Sequence, residues 1–338
     1  MKPLVIAHRG ASAYLPEGTL PAKALAVGMG ADYVEHDVVM TRDDRLLINH
    51  DLWLDNVSDV AVRFPGRQRE DGHFYVIDFD LDEILTLSVT ERFTVIDGRD
   101  VAVFPDRFPV WQSHFSFHTL EAEIEFLQGL RHSSGRDVGM FTELKSPWFH
   151  EQEGKDLASA VYAVLARYGY RTRDDHCRVM SFDAHALQRI RTEVGPQHGV
   201  DVPLTQLICH TEDHETYERK PDGTWENYAY DWMLESDAME RIGEWADGIG
   251  PDVRMLLRHG KPMAISDLAE RAHAAGLYVT PWTVRADDLP HCAPSVDALV
   301  RVLVDECRVE GIITDFPDRV IAALSSGSPG FAYGRDLP

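Results

Sequence analysis

Short apolar runs of strand length recur along the chain with helix-length segments between them, and this rhythm is that of a parallel α/β fold. The runs cover residues 4–8, 33–38, 46–50, 138–144, 178–182, 204–209, 248–250, 277–283 and 311–315. A parallel crossover needs about a dozen residues or more. Only the turn Thr41-Arg42-Asp43-Asp44 precedes 46–50, so that run must return antiparallel as a hairpin. Eight parallel strands remain. The expected fold class is therefore α/β: a (β/α)8 TIM barrel with an inserted segment after the second strand.

The 338 residues accommodate two domains or one barrel with an insertion. Between 52 and 115 the pattern gives way to Gly, Pro and charge, as in Phe64-Pro65-Gly66-Arg67 and Asp97-Gly98-Arg99-Asp100, with one helix-like piece near 82–87. The barrel is thus expected over 1–51 and 116–323, with 52–115 inserted and 324–338 a loosely ordered tail rich in Gly, Ser and Pro. The first helix starts at a Thr19 cap with Pro21 in its opening turn, and Ala22, Leu25, Ala26 and Met29 form its apolar stripe. An irregular, aromatic stretch at 210–232 is expected as a loop over the barrel mouth.

Charge narrows the partners. With 33 Lys and Arg against 56 Asp and Glu the net charge is −23, which disfavours nucleic acid and anionic bilayers. The sequence has no apolar run of bilayer length, so no membrane span is expected. Its four cysteines show neither a C-x-x-C pair nor zinc spacing. Met1 to Ala7 runs straight into His8-Arg9-Gly10 without a leader, so as written the chain reads as cytoplasmic; a trimmed N-terminus would make it periplasmic or secreted.

In a barrel of this kind chemistry sits at the C-terminal ends of the strands. Strand one ends in His8-Arg9, strand two carries Glu35-His36-Asp37, the hairpin return ends in His50-Asp51, and the next strand carries Glu143-Leu144-Lys145. Alternation puts Glu35 and Asp37 on one face, and Glu143 and Lys145 likewise. If these faces meet, three carboxylates converge, and a hard divalent cation, Mg²⁺ or Ca²⁺, is the usual remedy for their repulsion. Lys145 and Arg9 add positive charge beside it, a combination that binds phosphate. One such pair alone would be an ordinary exposed strand face; four on successive strand ends are not independent accidents. His36 is assigned a structural role. His114-x-x-x-His118 and His210-x-x-x-His214 have metal-ligand spacing but lack a third partner, and are expected on exposed loops. A Gly-x-Ser-x-Gly elbow is absent, which removes the serine-hydrolase reading.

These residues resemble the glycerophosphodiester phosphodiesterases. The motifs are His8-Arg9-Gly10, Pro16-Glu17-x-Thr19, Glu35-x-Asp37, His50-Asp51, Glu143-x-Lys145 and Thr314-Asp315-Phe316-Pro317-Asp318. Tyr14-Leu15-Pro16-Glu17, Trp148-Phe149-His150, Tyr230-Asp231-Trp232-Met233 and Ile249-Gly250-Pro251-Asp252 are similar to the bacterial periplasmic branch, and the likeness runs from residue 4 to about 323. It implies one divalent cation on Glu35, Asp37 and Glu143, with Ca²⁺ favoured and Mg²⁺ the alternative. It implies His8 and His50 as the acid/base pair, with Arg9 and Lys145 as phosphate ligands. Gly18 departs from the family's usual Asn, which removes a side-chain hydrogen bond near the first loop.

The implied reaction is hydrolysis of a small glycerophosphodiester, such as glycerophosphocholine or glycerophosphoethanolamine, to sn-glycerol 3-phosphate and an alcohol. Phe182 and Trp282, at strand ends, are candidate apolar walls for the glycerol. A related lysophospholipid- or sphingomyelin-cleaving enzyme and a non-catalytic phosphate-binding surface protein are the rival readings. Homodimerisation through the insertion is the remaining partner expectation.

Overall fold

Strands covered on both faces read as continuous apolar runs, and the runs identified in the sequence do become strands. The computed structural model describes residues 2–258 and 263–326. One nine-stranded sheet comprises β1 (Leu4–Ala7), β2 (Tyr33–Met40), β3 (Leu46–Ile48), β4 (Gly139–Leu144), β5 (Cys177–Ser181), β6 (Leu204–Ile208), β7 (Gly248–Pro251), β8 (Tyr278–Val279) and β9 (Gly311–Thr314). Parallel ladders join β9 to β1, β1 to β2, β2 to β4 and onward through β5, β6 and β7 to β8. As expected of the short connection, β3 pairs antiparallel with β2, Val38 opposite Ile48.

The ring closes between β8 and β9. The Val284 N–H donates to the Ile313 carbonyl at 2.9 Å and the Ile313 N–H to the Pro281 carbonyl at 3.0 Å. Pro281 has no N–H of its own, so regular pairing stops at Val279 and resumes only as single parallel bridges at Trp282 and Val284. The continuous strand expected over 277–283 is therefore a short one with a broken continuation. The architecture is a barrel of eight parallel strands.

Helix α1 (Leu20–Met29) starts where Thr19 Oγ1 accepts the Ala22 N–H. Its buried residues are Ala22, Lys23, Ala26 and Val27, whereas Leu25 and Met29 are only partly covered. The buried face is thus turned from the expected stripe, and a lysine occupies part of it. Gly10 lets this helix sit directly on the turn after β1: its φ is +88°, and a Cβ there would stand 2.7 Å from the backbone carbon of Ala22.

The chain between β3 and helix α2 (Leu120–Ser134) holds the short helices Val60–Arg63 and Leu81–Ile84 and the hairpin Phe93–Ile96/Arg99–Ala102. It packs on an apolar cluster of its own, including Leu54, Phe79, Ile84 and Leu87, which reaches the barrel through Val39 and Leu47. Within 210–232 the chain forms a second hairpin, Tyr217–Arg219/Trp225–Asn227. The last helix, Pro317–Ser326, includes the first residues of the expected tail; 327–338 lie outside the described residues. Among the described residues, no helix is long and apolar enough to cross a membrane.

Candidate active site

Register places Asp37 directly opposite Glu143 across the β2–β4 ladder, and alternation brings Glu35 to the same face. One oxygen from each of Glu35, Asp37 and Glu143 lies within 4.8 Å of the others, and all three residues are buried. Glu35 Oε1, Asp37 Oδ1 and Glu143 Oε1 are buried without a hydrogen-bond partner, although Lys145 Nζ stands 3.3 Å from the last as an ion pair. Burial, then the neighbouring Asp37, pushes the Glu35 carboxyl well above the ordinary range. Burial, opposed by Lys145, pushes Glu143 up to about 8. Asp37 is also buried, yet His50 and Arg9 hold it down at about 2. Three clustered, buried carboxyls, each with one oxygen lacking a hydrogen-bond partner and two of them resisting ionisation without a counter-charge, fit a hard divalent cation.

Both histidines face the cavity above this cluster. His8 Nδ1 lies 2.6 Å from Asp315 Oδ1. Asp315, despite its burial, is kept ionised by His8 and by Arg285 and Arg107, so it accepts and Nδ1 carries the proton. His50 Nδ1 lies 2.5 Å from Asp51 Oδ1, and its Nε2 is 3.2 Å from Lys145 Nζ. An ammonium only donates, so Nε2 accepts and Nδ1–H goes to Asp51. Burial lowers both imidazoles, Arg9 lowers them further, and His8 is brought to about 4. Each histidine therefore presents a neutral ring held from behind by a carboxylate.

Arg9 adopts φ 55°, a left-handed backbone, which turns its N–H onto Glu35 Oε2 at 2.8 Å. Its guanidinium reaches Glu17 at 3.0 Å and Asp37 at 3.5 Å. Lys145 Nζ is shared among His50, Glu143 and Glu215. Phe182 and Trp282 line the same cavity, their rings edge to face at 5.4 Å. The geometry thus gathers the sequence-derived candidates at one end of the barrel: three carboxylates, two imidazoles, two cations and an apolar wall.

The family model described as the glycerophosphoryl diester phosphodiesterase family matches residues 8–319. The chain belongs to this family. A glycerophosphodiester phosphodiesterase of Haemophilus influenzae is 47% identical over 325 residues, covering 95% of this chain and 89% of that one. One from Treponema pallidum is 40% identical over 319 residues, covering 93% and 90%. Among solved structures, one from Silicibacter pomeroyi superposes with a TM-score of 0.67 at 25% identity, covering 96% of this chain and 95% of that one. An Oleispira antarctica phosphodiesterase solved with sn-glycerol-3-phosphate shares the fold, with a TM-score of 0.62 at 19% identity and coverage of 96% and 97%.

Several residues around this phosphodiesterase site were not singled out from the sequence. The insertion sends one arginine to each histidine's carboxylate: Arg92 donates to Asp51 at 2.7 Å while gripping Glu17 with two further bonds, and Arg107 donates to Asp315 at 2.7 Å. Glu215, from the hairpin segment after β6, reaches Lys145 at 3.1 Å. Beneath the cluster, fully buried Lys23 donates to the Glu35 carbonyl and pairs with Glu123 at 3.3 Å. Glu123 also takes His36 Nδ1 and His118 Nε2, each at 2.8 Å. His36 is therefore structural, as expected, but His118 is buried at 6% exposure and not on an exposed loop. Its partner is a helical glutamate five positions on, a contact that His-x-x-x-His spacing does not reveal. Gly18, at φ +68°, sits in the left-handed region where Gly and Asn are both at home, which accounts for the exchange.

Proposed function

We propose that the protein hydrolyses small glycerophosphodiesters to sn-glycerol 3-phosphate and an alcohol. The observation that carries this is the union, at one barrel mouth, of two carboxylate-backed imidazoles with a buried carboxylate trio in which each member keeps one oxygen without a hydrogen-bond partner. Its relatives at 47% and 40% identity carry the same activity in their names.

Glu35, Asp37 and Glu143 would hold one divalent cation. Three carboxylates on a strand frame suit Ca²⁺, with its tolerant, longer oxygen ligation, better than Mg²⁺, which demands a near-ideal octahedron and keeps its waters. When bound, such an ion supplies Lewis-acid stabilisation of charge on the phosphate and on the attacking oxygen.

The chain's own groups do the rest. Arg9 and Lys145 bind and orient the phosphodiester. The glycerol hydroxyl next to the phosphate is an internal nucleophile, with the large proximity advantage of an intramolecular reaction. One imidazole takes that hydroxyl's proton on Nε2 as the oxygen attacks phosphorus. The other must first take up a second proton, which its carboxylate and the bound phosphodiester's negative charge favour over the neutral ring of the free site; it then gives a proton to the departing alcohol, leaving a cyclic phosphate. Water then opens the ring with the two roles exchanged, each transfer contributing about 10²–10⁴-fold. Phe182 and Trp282 provide an apolar wall for the glycerol carbons.

Incubation of the purified protein with glycerophosphocholine, Ca²⁺ and an enzymatic assay for sn-glycerol 3-phosphate tests the reading. Product formation that stops on chelation supports it; no product from any glycerophosphodiester overturns it.

A further inference from the structure

Two acidic residues line the cavity, Glu143 and Glu215. Glu143 belongs to the cation cluster. Glu215 does not: it stands on the outer segment after β6, its side chain is 28% exposed against 8% for Glu143, and its Oε2 lies 3.1 Å from Lys145 Nζ. It is therefore a second carboxylate at the ammonium assigned to the phosphate, placed on the solvent side of it.

Such a group is anomalous in a site for anions. Arg9, Lys145 and the cluster cation already balance the inner carboxylates and a phosphodiester. A further fixed negative charge beside the phosphate repels a substrate that carries only negative charge. It turns favourable when the substrate brings a cation of its own just beyond the phosphate. In choline and ethanolamine esters the nitrogen lies two carbons past the ester oxygen, within reach of a carboxylate that already touches the phosphate's ammonium.

Glu215 is built into this position. The Trp148 indole N–H donates to its carbonyl at 3.2 Å and fixes the segment. Trp148 in turn packs on Tyr217 with ring centroids 4.6 Å apart. Against its burial, Lys145 and His50 keep the carboxyl below the ordinary range, so it is ionised.

We propose that Glu215 is a specificity-determining residue that selects glycerophosphodiesters with a cationic headgroup over those with an uncharged one. This rests on the reaction proposed above. As the phosphate takes over Lys145, the freed carboxylate pairs with the headgroup nitrogen.

The test is kcat/KM of wild type and Glu215→Gln on glycerophosphocholine, glycerophosphoethanolamine and glycerophosphoglycerol, in excess Ca²⁺. Wild type is expected to prefer the two cationic headgroups, and the substitution to reduce that preference about fivefold, the order a partly exposed ion pair supplies. The change should fall mainly on KM, and Glu215→Asp should restore part of it. An unchanged preference, or an equal loss on all three substrates, would assign Glu215 to the shared glycerophosphate half or to local structure and overturn the proposal. Wild type inactive on every substrate would instead refute the reaction itself, so the two failures are distinguishable.

Discussion

Nδ1 of His8 and Oδ1 of Asp315 lie 2.6 Å apart although 307 positions separate them. The bond crosses the seam between the first and last barrel strands, and it fixes the tautomer: Nδ1 keeps its proton and Nε2 is left as the basic nitrogen facing the cavity. His50 and Asp51 repeat the arrangement with adjacent residues at 2.5 Å.

Asp315→Asn should therefore disable His8 without removing it. An amide NH₂ facing Nδ1 favours the opposite tautomer, which moves the proton to Nε2. A fall in kcat of about 10²–10⁴-fold with KM little changed is expected, by analogy with carboxylate-backed catalytic histidines generally. Thermal unfolding of the variant must be run alongside, because Arg107 and Arg285 also lean on Asp315. Activity within about tenfold of wild type in a folded variant would contradict the assigned tautomer.

Cation binding should depend on pH with a definite sign. Glu143 moves from an ordinary 4.5 to about 8 in the folded chain, and Glu35 moves in the same direction. Between those values the folded state holds more protons than the unfolded one. The stability of cation-free protein should therefore fall as pH rises through that interval. A cation held by the trio, such as the proposed Ca²⁺, would replace those protons, so the rise in Tm on adding it should be larger above about pH 8 than below about pH 6. Differential scanning calorimetry with and without chelator reads this directly. An equal rise at both pH values would mean that the trio is not the cation's site.

Lys23→Met tests the network under the floor. It removes the ammonium that faces Glu123 at 3.3 Å and the Glu35 carbonyl, leaving a fully buried carboxylate whose remaining side-chain partners among the described residues are the two imidazoles. A loss of about 3–5 kcal/mol is expected, read from the urea midpoint at unchanged slope. The double change Lys23→Met with Glu123→Leu should recover part of that loss, since it removes the stranded charge. A silent single variant would show the pair to be dispensable.

The outcome of each test bears on how far such a site can be read from a chain. The strands were readable because a sheet covered on both faces must be apolar throughout, and the hairpin return because four residues cannot span a parallel crossover. The carboxylate trio was readable because a period of two forces Glu35 and Asp37 to one side. The supports were not. Arg92 meets Glu17 across 75 positions and Arg107 meets Asp315 across 208, and neither sits in a regular element whose period would aim it. Lys23 lies on an otherwise apolar helix face, where composition predicts solvent exposure; its burial is intelligible only once Glu123 is seen beneath it. Glu215 reaches the site because the segment leading into the hairpin after β6 passes beside Lys145 and Trp148, a matter of loop path that local pattern does not encode.

The two carboxylate-backed imidazoles beside the carboxylate trio are proposed to carry out phosphodiester cleavage. Steady-state release of sn-glycerol 3-phosphate from glycerophosphocholine by wild type, His8→Ala and His50→Ala, in excess Ca²⁺ and with Tm matched to wild type, tests it most directly. Each substitution is predicted to lower kcat by at least about 10²-fold while the calorimetric Ca²⁺ response persists. Near wild-type turnover by either folded variant would rule that histidine out as an acid or base in the cleavage.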